Sequence, residues 1–571
     1  MDLQRILLFA VFAFSGLYLW EAWQADQQLK YPPPVAQSAE SHQATGAMPG
    51  APDVPMTPDS ATLVAPATAS APPTASVPVS VNGDATPTLP AIEITTDLYI
   101  AEINPVGGVI TQMALLKQPD ARDKTKPYYV LQKNNERMFV AQAGLTGDGM
   151  PNHRTTYEVL SEQRELREGE DSFELRLGTT AANGDRVEQI LTFHRDSYVI
   201  DVSFKVTGDA TTTAPYAYFQ FTRDTKEASK RSAMAPAAYT GPVVFNETDK
   251  FKKVDFDELD KLAADPLRKP LFTPTNDNGW AAMIEHYFVT AWALPESNTT
   301  QREFYARKTG DGLYSVGMLL PMQNLASGAE VSVPMYAGPQ NQDVLSALAK
   351  DLNRVVDYGM FTVLAAPMFW LLNFFHNLIG NWGWSIIAMT FLIRIVFYPL
   401  NAAAARSMGK MRVVAPRLKA LQEQFKDDKQ QLQVKMMEMY RQEKINPLGG
   451  CLPILIQMPF FIALYWVLLS AAELRYAPWF GWITDLSSPD PYYILPVLYA
   501  LSAYLQMKLS PMPITDPMQA RMMKMMPVVF SILFIFFPSG LVLYWLVSNC
   551  LQIAQQWHMN RMLEREAAAK T

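Results

Sequence analysis

From Trp384 to Ala554 the chain keeps returning to long apolar runs, and such runs leave a backbone few choices. They are "WSIIAMTFLIRIVFYPL" (384–400), "CLPILIQMPFFIALYWVLLSAA" (451–472), "YYILPVLYALSAYLQM" (492–507), "MMPVVFSILFIFF" (525–537) and "GLVLYWLVSNCLQIA" (540–554). Hydrocarbon offers no water to peptide groups, so each run reads as a membrane helix that satisfies its own backbone. The last two are separated only by "PSG", which suits two helices joined by a tight turn. Several runs fall short of the roughly 20 apolar residues that a bilayer core needs, which points to local thinning or a bundle wet on one side.

The first 380 residues read differently. "ILLFAVFAFSGLYLW", Ile6 to Trp20, follows Arg5 and precedes Glu21 and Trp23. A cleaved signal peptide competes with an uncleaved anchor. The bulky Trp23 and the missing small-x-small site favour the anchor over 1–24. Residues 25–90 are rich in Pro, Ala and Thr and almost without aromatic side chains, so they read as a disordered tether. Over 91–340 the period becomes two. In "SYVIDVSFKV", Tyr198, Ile200, Val202, Phe204 and Val206 face one way and Asp201, Ser203 and Lys205 the other. Similar strands separated by "ANGD" and "KTGDG" predict a large antiparallel β-sandwich, with one helical interruption at "FKKVDFDELDKLAADP". Residues 341–380 read as a helix leading back to the membrane, then an amphipathic interfacial helix carrying Asn373, His376, Asn377 and Pro367.

Charge gives the orientation. The polar segment 401–446 holds ten basic residues, from Arg406 to Lys444, against five acids, so the positive-inside rule puts it in the cytoplasm. With both termini cytoplasmic, the segment from 24 to 353 is exported. Two cysteines, Cys451 and Cys550, both in apolar segments, exclude a disulfide framework or a CxxC zinc site. The net charge of −7 with no dominant basic surface argues against reading nucleic acid. No HExxH, GxSxG, P-loop or dinucleotide fingerprint occurs, so no enzyme is expected.

The membrane segments between Trp384 and Ala554 contain one clear internal charge, Arg394. It could snorkel to the cytoplasmic interface, since it lies six residues from Leu400. Alternatively it faces a wet groove inside the bundle, where desolvation is avoided. Thr390, Gln457, Ser502, Gln506, Ser548, Asn549 and Gln552 are the polar positions that would line such a groove. The cytoplasmic segment reads as a hairpin of two amphipathic helices meeting near Lys426 to Lys429, with Asp427 or Asp428 opening the second. Met408, Met411, Met436, Met437 and Met439, with Met518, Met522, Met523, Met525 and Met526 near a later cytoplasmic entry, give it a methionine-rich face. That face is either ordinary packing or, with Lys426 and Lys429 at the tip, an adaptable contact surface for varied hydrophobic segments.

"NPLGGCLPILIQMPFFIALYW", "DPYYILP", "TDPMQ" and "FPSGLVLYWLVSN" closely resemble the YidC branch of the YidC/Oxa family of membrane protein insertases, in its Gram-negative form with a large periplasmic domain. The resemblance implies a multi-domain inner-membrane protein. An all-β periplasmic supersandwich of the sugar-mutarotase type would join an α-helical bundle made of an N-terminal anchor and a five-span core at 381–557, with a cytoplasmic tail at 558–571. It implies a groove arginine at Arg394 with its threonine at Thr390, and an aromatic pair in the last span at Tyr544 and Trp545. Implied partners are nascent membrane proteins, lipid, the Sec translocon and a ribosome docked on the cytoplasmic loops and tail. No cofactor, metal or nucleotide is implied. A small-solute transporter and a membrane-anchored glycan-binding module are the rival expectations.

Overall fold

The computed structural model describes residues 89–568 apart from 121–122, 148, 209–215, 227–238, 266, 323–328, 359–360, 426–427, 443–451, 510–524, 526–528 and 530. The anchor and nearly all of the tether expected from the sequence lie outside them.

Among the described residues, two antiparallel nine-stranded sheets form the β domain. The first runs β1 (Ile92–Thr95), β2 (Tyr99–Asn104), β3 (Val109–Pro119), β4 (Pro127–Lys133), β5 (Met138–Thr146), β10 (Tyr216–Asp224), β17 (Leu313–Pro321), β16 (Arg302–Gly310), β13 (Thr275–Asn276). The second runs β12 (Lys250–Lys253), β11 (Thr240–Asn246), β14 (Trp280–Glu285), β15 (Phe288–Ala293), β18 (Ala329–Pro339), β9 (Val199–Thr207), β8 (Arg186–His194), β7 (Ser172–Thr180), β6 (Glu158–Val159). The period-two pattern decides which side chains fill the space between the sheets. On β9, Ile200, Val202, Phe204 and Val206 are buried, while Lys205 on the same strand is exposed. Trp292 of the second sheet meets Phe219 and Phe221 of the first, with ring centres 5.2 and 5.3 Å away. Charge also crosses the sandwich: Arg137 Nη2, just before β5, donates to both oxygens of Glu285 on β14, at 2.6 and 2.7 Å. Helix α1 (Phe256–Ala264) is the interruption that the sequence marks.

The chain leaves the sandwich through α2 (Gln342–Leu348), capped by the Asn341 side chain, and a 3₁₀ turn at Leu352–Val355. Helix α3 (Thr362–Ile379) ends on Gly380, whose φ of 76° makes it the usual left-handed stop. It buries Ala365, Met368, Phe369 and Leu372, and exposes Val363, Trp370, Phe374 and Leu378 on other sides. By length and apolar content α3 qualifies for a membrane crossing, whereas its sequence pattern predicts an interfacial helix.

Helix α4 (Trp382–Val396) and the start of α5 (Tyr398–Gln424) bend by 58° across Phe397. Thus the run that the sequence carries straight to Leu400 is broken three residues early. After α6 (Lys429–Gln442) come α7 (Leu452–Ser470), α8 (Ile494–Leu509) and α9 (Ser539–Ala568). Helix α9 is 30 residues long, so the segment assigned to a tail from 558 onward continues it as helix. The described residues divide into two compact units. The smaller holds those from Val414 to Gln442, and the larger holds the β domain together with α3, α4, α7, α8 and α9. In the smaller unit Val414, Leu418 and Met439 are buried, and Asp428 Oδ1 accepts from the Gln430 and Gln431 amides, capping α6.

Candidate functional site

Helix geometry places Thr390 and Arg394, four residues apart, on one side of α4. On α9 the same spacing aligns Tyr544, Ser548 and Gln552. These two rows meet. Arg394 donates from Nε (3.0 Å) and Nη2 (2.5 Å) to Ser548 Oγ, and Nη2 also reaches Gln552 Oε1 at 3.3 Å. Tyr544 lies within electrostatic reach of the guanidinium. Arg394 is half-buried, and among the described residues no carboxylate pairs with it. A full positive charge is therefore held at the α4–α9 seam by one hydroxyl and one amide oxygen. Neither neutralises it.

The next row of α9 turns toward α8. Asn549 Nδ2 donates to Ser502 Oγ at 2.8 Å, and Ser502 donates in turn to Tyr499 O at 2.8 Å. Trp545 is surrounded by Phe461 (4.8 Å between ring centres), Phe534 (5.9 Å) and Tyr499 (6.3 Å), and its buried indole Nε1 has no hydrogen-bond partner. The two aromatic neighbours Tyr544 and Trp545 thus face different surroundings: Tyr544 belongs to the arginine's row and Trp545 to an aromatic cluster.

The remaining sequence candidates divide. Thr390 is fully buried, and its Oγ1 donates to Ile386 O of its own helix at 2.6 Å and not to Arg394. Gln457 on α7 and Gln506 on α8 are half-buried, and neither hydrogen-bonds Arg394. Gln552 and Ser502, which the sequence places among the polar positions of a groove, are direct partners of Arg394 and Asn549 respectively. Tyr499, Phe461 and Phe534 carry no polar signal in the sequence; they are legible only once the helices are packed. Of the hairpin surface, Met436 is half-buried and Met437 exposed; Lys426 and the side chains of Met408, Met411 and Lys429 lie outside the described residues. Among the described residues no cluster of three His, Cys, Asp or Glu side chains is arranged to hold a metal.

Comparison with known proteins bears on the whole chain. Residues 91–371 match the family described as YidC periplasmic domain, and 374–566 the family described as 60Kd inner membrane protein. A membrane protein insertase YidC of Aromatoleum aromaticum is 45% identical over 569 residues, covering 99% of each chain. A crystal structure described as an active YidC insertase with its first transmembrane domain resolved covers 81% of this chain and 91% of its own at 17% identity, with a TM-score of 0.40. A galactose mutarotase related enzyme from Lactobacillus acidophilus covers 43% of this chain and 97% of its own at 10% identity, with a TM-score of 0.28. With near-complete coverage at that identity, an all-β domain followed by apolar helices, and matches to both family descriptions, the chain belongs to the YidC family of inner-membrane proteins.

Proposed function

We propose that this chain inserts newly made membrane proteins into the inner membrane, and that Arg394 and its α9 partners form the polar surface along which a substrate's short hydrophilic tail passes. The observation that carries the reading is a charge that no carboxylate among the described residues compensates. A guanidinium in an apolar span is costly, and a purely structural one would be expected to have found a carboxylate. Here it is held by Ser548 and Gln552, partners that orient it and leave its field available. An acidic or strongly hydrated tail gains from that field, while the adjoining apolar segment moves into lipid. The drive is burial of the substrate's apolar surface in hydrocarbon, so no nucleotide or metal enters the step.

The wider assignment follows from the same reading. Residues 1–24 anchor the chain, 25–90 tether it, 91–340 are periplasmic, 341–380 return to the membrane, and 381–557 form a five-span core with the hairpin 401–446 and the tail 558–571 in the cytoplasm. Both termini are then cytoplasmic. Thr390, Gln457, Gln506, Asn549, Tyr544 and Trp545 complete the groove, with Tyr544 nearer the passing tail. The methionine face around Met436 and Met437 meets hydrophobic segments as they arrive. The protein acts alone or beside the Sec translocon, assists folding as a chaperone, and receives ribosomes on its cytoplasmic loops and tail.

Photocrosslinkers placed at 544, 548 and 552 test this. An insertase yields adducts to ribosome-bound nascent chains. A solute transporter gives substrate-dependent flux into vesicles instead, and a membrane-anchored glycan binder gives neither and loses its function when 91–338 is deleted.

A further inference from the structure

The segment between α7 and α8, residues 471–493, touches both halves of the larger unit. Toward the membrane it ties helix ends together. Asn381 Nδ2, at the start of α4, donates to Pro478 O (3.2 Å) and Trp479 O (3.1 Å). At the start of α9, the Ser539 and Gly540 amides donate to Ser488 O (2.8 Å) and Leu486 O (2.9 Å). Asp490 accepts from Trp482 Nε1 (3.0 Å), Tyr492 N (3.0 Å) and Leu495 N (2.7 Å), capping α8. This segment therefore sets where three membrane helices begin.

Toward the β domain it presents Arg475. The guanidinium lies 5.5 Å from the ring centre of Tyr128, 5.6 Å from Tyr287, 5.0 Å from Phe288 and 4.8 Å from its neighbour Tyr476. Its Nη2 donates to Pro119 O at 3.0 Å, and the Tyr476 hydroxyl donates to the same oxygen at 3.2 Å. Tyr128, Tyr287, Phe288 and Pro119 all belong to the sandwich or its turns. Among the described residues this flat cation is held by ring faces without a counter-ion, and the attraction grows as water is excluded. A second tie runs beside it: Lys253 Nζ pairs with Asp357 at 2.5 Å, while Ser470 Oγ donates to Asp357 O at 3.0 Å.

Two residues before Arg475 the joint contains its opposite, a carboxylate with little to hold it. Glu473 Oε1 accepts from the Gln342 amide at 3.2 Å, and Oε2 is buried with no hydrogen-bond partner among the described residues. The titratable groups facing it are Asp343 of α2, Tyr336 of β18 and Tyr358, whose hydroxyl accepts from Gln342 Nε2 at 2.6 Å. None is a cation. Burial, reinforced by the charge of Asp343 and opposed by backbone amides, pushes the Glu473 carboxyl up to about 7.

We propose that this joint is a proton-dependent clasp: Arg475 in its aromatic cage seats the β domain on the segment that caps the membrane helices, and the clasp loosens when Glu473 loses its proton. The sign follows from linkage. A carboxyl raised in the closed joint over its ordinary value favours closure while it is protonated. That preference is fully present below the ordinary carboxyl range and is lost as pH rises to about 7. The clasp is therefore tighter in an acidic periplasm, and its release reaches the first turns of α4, α8 and α9 through 471–493.

The test is hydrogen exchange on the full chain in lipid nanodiscs at pH 5.5 and 7.5, corrected for intrinsic rates and read over 342–348 and 471–476. In the wild type, opening should rise on the order of tenfold between the two pH values. Glu473→Gln should stay protected at both. Arg475→Ala should open at both, and Arg475→Lys, which keeps the charge but lacks the planar face, should fall between. Unchanged protection over 199–207 shows that the sandwich itself is intact; if Arg475→Ala fails that check, Arg475→Lys decides. Equal wild-type protection at both pH values overturns the proposal. So does a Glu473→Gln chain that keeps the pH response, or arginine variants that match the wild type.

Discussion

Arg394 on α4 places two of its nitrogens on the single hydroxyl of Ser548 on α9, 154 residues away in sequence, at 3.0 and 2.5 Å. This contact fixes the direction of the guanidinium. Removing the hydroxyl should therefore act on the charge's placement, not on its existence. Ser548→Ala should lower insertion of an acidic-tailed single-span substrate to a level between the wild type and Arg394→Ala. A hydrogen bond to a charged group contributes roughly 1.5–3 kcal/mol, enough for at least a several-fold effect. Ser548→Thr, which keeps a hydroxyl, should recover most of the activity. Protease protection of the translocated tail reads both.

The sandwich contains a second charge that depends on its partner. Arg137 and Glu285 are nearly inaccessible, and fully buried Arg223 stands 3.9 Å from the same Glu285 oxygen. Glu285→Gln would leave two buried guanidinium groups facing a neutral amide. Breaking a buried pair from one side costs about 3–5 kcal/mol. Exchange across β5 and β14 should become faster by two or more orders of magnitude, while α4 and α9 keep their protection.

A pH response opposite to that of Glu473 is expected within the β domain. His153 is buried, its Nδ1 2.5 Å from the Tyr218 hydroxyl. Burial, with Arg154 and Arg307 nearby, holds the imidazole down to about 4. Its native pKa is below the unfolded value of about 6.5, so the stability it contributes is present above 6.5 and is lost as pH falls toward 4. The loss is about 3 kcal/mol, and thermal unfolding of the domain at pH 7 and pH 4.5 should register most of it. His153→Gln, which cannot take the proton, should flatten that difference.

The sequence made some of this visible and hid the rest, for identifiable reasons. Alternation on β9 was readable because each residue's face depends only on its neighbours. The order of the two sheets was not, since β5 beside β10 and β18 beside β9 are pairings between distant segments. Arg394 stood out as one charge among apolar residues. Its partner could not be told apart among Gln457, Gln506, Ser548, Asn549 and Gln552 until α4 and α9 were set side by side. Nothing in the sequence marks the joint. In the sequence Glu473 and Arg475 are only charges in a connection between two apolar runs, and nothing local reveals that one is buried with no counter-ion among the described residues and the other is caged by rings from β4 and β15.

The central claim is that the positive charge at the α4–α9 seam is the working element of the groove. Depletion and complementation with wild type, Arg394→Lys and Arg394→Ala, scoring membrane insertion of a small single-span protein with an acidic tail, measures it most directly. Lys should retain substantial insertion and Ala should lose it, with the loss shrinking as acids are removed from the tail. Full activity of Arg394→Ala on every tail would contradict it.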